Sequence, residues 1–382
     1  MAGHVTIKNV ARRAGCSPAV VSTVVNGARG NTVVGSALRE QVLRAAADLG
    51  YRRNFASRSL VNQRTRTLGV YIPSSPWAGL GYSYDDTILR GVEAASREHG
   101  YDLLLISLTG SQAPAACLDK FAERRIDGLI LVHVDEEAPW VGELLARGCS
   151  VVAADYTGRE EGLDAMVFDN LAVSRVAVEH LAGLGHRRIG FVGSCRQPAS
   201  RDSVLRQQGF LEVTAEMSLE VAPEWVFDGR LLARPIAPDD GVCQIEGRAA
   251  AQHIVALGQR GPTAWVAYCD LVAVTMLPIL RAAGVPVPEQ VSLMGVDDSE
   301  WCRVVDPPLT SVGHPLEDMG RRAVEQLVSR IETDTVDGAG GTRQGMRVVF
   351  PPTVVPRLST GRVCPAKDSA WKYPVAGAAA LK

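Results

Sequence analysis

Between residues 67 and 297 the chain alternates short apolar runs with longer stretches in which apolar residues recur at helical period, and few architectures accept that rhythm. Thr67–Pro73, Tyr101–Ser107, Gly128–His133 and Val151–Asp155 read as strands, with Thr87–Gly100, Leu118–Arg125 and Val141–Arg147 as helices between them. The alternation restarts at Ala165–Asp169 and continues through Val173–Leu184, Arg188–Gly193, Gln207–Ala215, Gly247–Leu257, Thr263–Tyr268, Val272–Ala283 and Ser292–Val296. Repeated strand–helix units of this size predict parallel sheets covered by helices on both faces. Two such sets, breaking near residue 165, predict two doubly wound lobes around a cleft. Ligands of such sheets lodge beyond the carboxyl ends of the strands.

Charge divides the chain differently. Residues 1–66 carry eleven Lys and Arg against two acids, a net +9, while the remaining residues hold 29 basic and 40 acidic side chains, a net −11. A small basic module on a large acidic body suits a polyanion-binding head on another kind of domain. With 382 residues, 46% of them hydrophobic, the body can bury large cores. No apolar run approaches the roughly 20 residues of a membrane helix, and the first residues lack the apolar core of a signal peptide, so a cytoplasmic protein is expected. The eight cysteines form no CxxC pair, which fits reduced, mostly buried thiols better than a disulfide framework or a zinc site.

The basic head reads as three short helices. Thr6 can cap a first one with Ile7, Val10, Ala11 and Ala14 on one face, ended by Gly15. Ser17-Pro18 opens a second, with Val20, Val21, Val24 and Val25 inward and Asn26-Gly27 as its end. The third carries Leu38, Val42, Ala45, Ala46 and Leu49 and stops at Gly50. Two helices across a short glycine turn, with a third closing the core, describe a helix-turn-helix unit, although any small basic helical bundle shares that periodicity.

The run from Val5 to Gly27, Val-Thr-Ile-Lys-Asn-Val-Ala-Arg-Arg-Ala-Gly-Cys-Ser-Pro-Ala-Val-Val-Ser-Thr-Val-Val-Asn-Gly, resembles the head of the lactose-repressor/galactose-repressor (LacI/GalR) family of bacterial transcription regulators. The likeness continues through Leu49-Gly-Tyr51-Arg-Arg-Asn54 and Ala56-Ser-Arg-Ser-Leu60 into the body, over nearly residues 5–360. It implies a periplasmic-binding-protein-like body. The expected organisation is a helix-turn-helix domain over 1–50, a hinge over 51–66 and a two-lobed effector and dimerisation domain over 67–360. Lobe 1 would take about 67–164 and 298–335, and lobe 2 about 165–297 and 345–360, with a disordered tail over 361–382.

The resemblance also implies roles for single residues. Pro18, Ala19 and Thr23 match positions that meet base edges; Ser17, Ser22 and Asn26 match phosphate-contacting ones, Thr6 at the head's first cap is a further DNA-binding candidate, and Arg29 is a further phosphate candidate. Asn54, Ser57, Arg58 and Leu60 match a hinge that folds on DNA, with Leu60 as the minor-groove wedge. Two apolar side chains and a short threonine make a poor hydrogen-bonding vocabulary, so thymine methyls and DNA shape would contribute to recognition. Asn9 replaces the family's usual Asp, and the loop Ala28–Gly35 is about three residues longer than the common form.

For the cleft, all candidates are read as strand-end loop residues: Arg206 and Asp297 match positions that hold effector hydroxyls or carboxylates, and Asp155, Trp77, Ser74 and His314 are further candidates. Each carboxylate could instead cap a helix, and Trp77 could be core. Cys269 stands where the family usually has Asn, and the stretch 74–84 departs from the common pattern. There is no P-loop, HExxH or GxSxG elbow, Gly79-Leu-Gly81 is not a dinucleotide turn, and the seven histidines form no metal-ligand spacing. No enzymatic role, cofactor or metal is expected.

These readings converge on a homodimeric regulator, a repressor, of a palindromic double-stranded operator, controlled by a small sugar-like effector between the lobes. A corepressor-responsive or activating version of the same machine remains open, and so does a solute-binding protein, for which residues 1–66 would be superfluous.

Overall fold

The structure, a computed structural model, describes residues 5–26, 34–51, 64–73, 80–106, 112–134, 139–156, 158–195, 200–228, 242–337 and 344–363. The head contains α1 (Ile7–Arg13), α2 (Pro18–Asn26) and α3 (Ser36–Asp48). Asn9 Oδ1 accepts from the backbone N–H of Thr6 at 2.9 Å and from its hydroxyl at 2.6 Å, so Asn9 supplies the reverse half of the cap at the start of α1. Gly15 and Gly50 follow α1 and α3 at φ 59° and 63°, a conformation L side chains resist. Val10, Ala11, Ala14, Val21, Val24, Val25, Val42, Ala45 and Ala46 form the head's core, as their spacing predicts.

The first lobe is built from β1 (Thr67–Tyr71), α4 (Ser83–Glu98), β2 (Asp102–Ile106), α5 (Gln112–Ala122), β3 (Gly128–Val134), α6 (Pro139–Ala146), β4 (Val151–Tyr156) and β5 (Asp164–Phe168). The second follows with α7 (Asn170–Gly183), β6 (Ile189–Val192), α8 (Arg201–Glu216), β7 (Val226–Phe227), α9 (Val242–Leu257), β8 (Ala264–Ala267), α10 (Asp270–Ala282) and β9 (Ser292–Asp297). A short helix α11 (Trp301–Val304) and β10 (Thr310–Gly313) complete its chain. Then α12 (Leu316–Asp337) and β11 (Arg347–Phe350) return to the first lobe, and β12 (Thr353–Val355) to the second.

Each lobe has one six-stranded sheet, in the orders β11-β5-β4-β3-β1-β2 and β12-β10-β9-β8-β6-β7. All pairings are parallel except β12 on β10. Strands β1, β4 and β5 are buried along their whole length, as continuous apolar runs between two helical layers should be. On one face of the first sheet Ile88, Val92 and Ala95 of α4 pack with Met319, Ala323 and Leu327 of α12; on the other lie Cys117 of α5 and Val141 and Leu144 of α6. The α4–α12 crossing is tight: a Cβ on Gly91 would strike the Glu317 carbonyl, and one on Gly320 the Ile88 carbonyl.

Sheet membership corrects the expected lobe boundaries. Residues 165–168 belong to β5 and pair with β4 and β11, so the first crossover falls at 169 rather than 165. Residues 298–313 stay in lobe 2, because β10 pairs with β9; the second crossover is at 314–315 rather than 297. Residues 347–350 form β11 and belong to lobe 1, giving a third crossover at 351–352. Several helices also begin four to six residues before their apolar period does, because their first turns are polar: α4 at Ser83 and α8 at Arg201. Arg206 is therefore a helical residue and not part of a strand-end loop. Of the expected hinge only residues 51 and 64–66 are described, and of the tail only 361–363.

Candidate functional site

The cleft is lined by residues at the carboxyl ends of β3, β4 and β9. His133, Asp155, Asp297 and Asp298 have φ of 51°, 59°, 113° and 51°, a region costing about 1–3 kcal/mol per residue unless the surroundings enforce it. Strain gathered where two lobes face each other makes this cleft the candidate binding site.

The lobe 1 wall starts with α4, whose first turn carries Tyr84 and Asp85. Tyr84 donates its hydroxyl to Asp155 Oδ2 at 2.9 Å, and Asp85, 1% exposed, lies 3.1 Å from His133 Nδ1. Burial works against a charged His133. The hydrogen bond and charge of Asp85, with Asp155 and Asp202, outweigh it and lift the imidazole to about 10. Burial, reinforced by Asp202, pushes the Asp155 carboxyl up to about 6.

The lobe 2 wall is organised by Arg206, buried on the inner face of α8. Its Nε donates to Asn170 Oδ1 at 2.9 Å and one terminal nitrogen to the Tyr268 carbonyl at 2.7 Å; the same nitrogen is 3.4 Å from Asp297 Oδ1. Asn170, at the start of α7, also donates to Asp202 Oδ1 at 2.9 Å. Burial holds the Asp297 carboxyl well above its usual range, even with Arg206 drawing it down. His314, at the second crossover, stacks on Phe168 with centroids 4.2 Å apart, and its Nε2 lies 3.9 Å from Asp297 Oδ1. Among the described residues neither of its buried ring nitrogens has a hydrogen-bond partner, and burial with the nearby Arg206 charge holds the imidazole well below its usual range. The lobes meet here: one ligating atom each of His133, Asp155 and Asp202 lie within 4.8 Å of one another. The result is a buried, fixed array of donors and acceptors around an aromatic surface, chemistry suited to a small polyhydroxylated molecule.

Among the sequence candidates, Arg206, Asp297, Asp155 and His314 converge on this cleft, while Trp77 and Ser74 lie outside the described residues. Asp85, His133, Asn170 and Asp202 were not candidates. A signal for His133 existed, a polar side chain ending the apolar run Gly-Leu-Ile-Leu-Val. Asp169 caps α7 by accepting from the Ala172 N–H at 3.0 Å, and Cys269 precedes α10 with its thiol against Cys243. Asp270 is structural: it accepts from the Ser311 hydroxyl at 2.6 Å and the Ser299 N–H at 2.7 Å.

In the head, Ser17, Pro18 and Ala19 are exposed at the N-terminal end of α2, and Ser22 and Thr23 are half-buried beside it. The Thr23 hydroxyl donates to the Ala19 carbonyl at 3.1 Å, which commits its proton to its own helix. Thr6 precedes α1, and Asn26 is the last residue of α2. Arg29, Asn54, Ser57, Arg58 and Leu60 fall outside the described residues.

A helix-turn-helix head joined to a two-lobed ligand-binding body defines a DNA-binding transcription regulator. Residues 6–54 match the model of the bacterial regulatory proteins of the lacI family, and residues 178–360 match the periplasmic binding protein-like domain. The chain is 32% identical over 333 residues to the HTH-type transcriptional repressor PurR of Photobacterium profundum, covering 86% of this chain and 92% of that one. It is 31% identical over 339 residues to the HTH-type transcriptional regulator CelR of Thermobifida fusca, covering 87% and 93%. Among solved structures, a CelR–cellobiose complex superposes at TM-score 0.63 and 27% identity over 93% of this chain and 99% of that one. The lac repressor dimer bound to operator and the anti-inducer ONPF superposes at TM-score 0.75 and 21% identity over 94% and 100%. The chain belongs to the lacI family of bacterial regulatory proteins.

Proposed function

We propose that this chain is a homodimeric, cytoplasmic repressor that binds a palindromic operator through two copies of the head and releases or tightens it when a sugar-like effector closes the cleft. The observation that carries the reading is the joining in one chain of an exposed α2 N-terminus to a strained, charged cleft lined by both lobes. One head reads one half-site, so a symmetric dimer suits a palindrome. Pro18, Ala19 and Thr23 would meet base edges; Ser17, Ser22, Asn26, Thr6 and Arg29 would meet phosphates; Asn54, Ser57, Arg58 and Leu60 would serve the central minor groove.

In the cleft, Asp297 and Asp155 accept effector hydroxyls and Arg206 donates to an effector oxygen. A hydroxyl facing His314 would satisfy a ring nitrogen that lacks a partner. Ser74 and Trp77 would complete the site. Cellobiose in the CelR complex is consistent with a sugar as the ligand class. The ligand leaves unchanged, so the body performs no chemistry. Coupling follows from differential binding: a ligand that prefers one lobe arrangement shifts the spacing of the two hinges.

The test is selection of binding sites from random duplexes, followed by affinity against salt. The expected result is a palindromic site whose affinity falls by roughly 10³ or more between 50 and 200 mM salt, as several neutralised phosphates require. Affinity independent of salt would overturn the assignment of the basic head.

A further inference from the structure

Cleft charge remains out of balance after the proposed effector contacts are assigned. Among the described residues Asp85, Asp155, Asp202 and Asp297 face Arg206 and His133 as counter-charges, and Arg206 is spoken for by Asn170, Tyr268 and Asp297. His133 and Asp155 project from adjacent strands of lobe 1, Asp202 from the first turn of α8 in lobe 2, with one ligating atom of each within 4.8 Å of the others.

Each of the three is held from behind by a residue outside the trio. Asp85 lies on one nitrogen of His133, Tyr84 donates to one oxygen of Asp155 and Asn170 to one oxygen of Asp202. That leaves each side chain a second nitrogen or oxygen outside these bonds. A carboxylate behind an imidazole, and hydrogen bonds behind ligating carboxylates, are the outer shell that orients metal ligands. Asp85, Asp155 and Asp202 gather around His133, so a cation held there would face three carboxylates.

We propose that His133, Asp155 and Asp202 form an interlobe site for a divalent transition-metal ion such as zinc or manganese. One imidazole and two carboxylates suit these ions, and three protein ligands leave positions open for water or effector hydroxyls. Bonds of about 2.0–2.2 Å would draw the three atoms closer than they now stand, so the ion favours the closed cleft. The ion is a clasp between lobes, and its regulatory consequence alone rests on the reading of the cleft as an effector site.

The experiment uses the full chain stripped with a chelator and titrated calorimetrically with zinc or manganese chloride, and with cobalt chloride for its absorption spectrum. The expected result is one ion per protomer, no thiolate charge-transfer band with cobalt, and a dissociation constant raised at least about tenfold in Asp202→Asn. His133→Gln should act likewise, which guards against misfolding of either variant, and Cys243→Ser should leave ion affinity as it was. Absence of binding below millimolar metal, or an affinity in both Asp202→Asn and His133→Gln equal to the parent's, overturns the site. Sugar binding by thermal shift under chelation is scored separately; sugars that bind without any metal site would leave the effector reading standing while this one falls.

Discussion

Replacing Arg206 with Ala tests whether this side chain is a ligand contact only or also the brace that holds the lobe 2 wall. Removal would strand three acceptors together: Asn170 Oδ1, the Tyr268 carbonyl and Asp297 Oδ1. Breaking a buried pair from one side costs about 3–5 kcal/mol. Asp297 moderates that cost, because its side chain is 17% exposed and its carboxyl is already held above its usual range by burial. Without the guanidinium it takes up a proton more readily, so the loss is expected to be larger at pH 8 than at pH 5. At about 2–4 °C per kcal/mol for a unit of lobe size, the ligand-free body should melt about 6–20 °C lower. Asp297→Asn removes the charge that Arg206→Ala strands, so the double variant should recover about 1–3 kcal/mol relative to the sum of the singles. Arg206→Lys, which keeps charge but loses the planar fork, should fall between. The assay is urea denaturation of the four-member cycle at both pH values. A ligand-free Arg206→Ala body that melts with the parent and a strictly additive cycle would refute the brace.

Gly320→Ala should destabilise lobe 1 by about 1–3 kcal/mol or more in urea melts, since its Cβ meets the Ile88 backbone carbonyl and the α4–α12 pair must part; parental stability would contradict the packing. His186 is held neutral by burial among Thr263, Ser292 and the Gly361 carbonyl. A depressed histidine withdraws stability as pH falls through the unfolded value near 6.5, so unfolding free energy between pH 8 and 5 should drop more steeply in the parent than in His186→Gln, and parallel curves would count against it. Asn9→Ala should cost the head roughly 1 kcal/mol in a circular-dichroism melt by removing the reverse half of its cap, while Asn9→Asp should retain it.

The head and the strand–helix alternation were legible because both rest on local periodicity: the valines of α2 are inward where a 3.6-residue period puts them, and β4 and β5 are buried along their length as continuous apolar runs should be. What misled was non-local or aperiodic. Polar first turns hide helix starts, which is why Arg206 looked like a loop residue although α8 begins at Arg201. Chain order suggested that β5 opens the second lobe, yet hydrogen bonding to β4 assigns it to the first, and no local pattern reports which sheet an edge strand joins. His133, Asp155 and Asp202 are separated by 22 and 47 positions in the sequence, so their proximity follows only from the crossovers that place lobe 1 strand ends opposite a lobe 2 helix start.

The energetics of the cleft bear on how a ligand can act at a distance. Strained φ values at His133, Asp155 and Asp297, raised carboxyls at Asp155 and Asp297 and a His314 without a hydrogen-bond partner among the described residues all store free energy in the body. A molecule that supplies hydroxyls or positive charge across the gap releases more of that energy when the lobes are close than when they are apart, because each group lies on one wall and its complement reaches it from the other. That difference, and not total affinity, sets how far the lobe equilibrium moves. The three crossovers at 169, 314–315 and 351–352 are where such a movement must be absorbed, since only there does the chain pass between the sheets. Two of them carry cleft residues directly: Asn170 follows the first, and His314 sits in the second, stacked on the Phe168 that ends β5. In the proposed reading effector contact and lobe hinge share residues, which would couple occupancy of the cleft to lobe geometry without any separate relay.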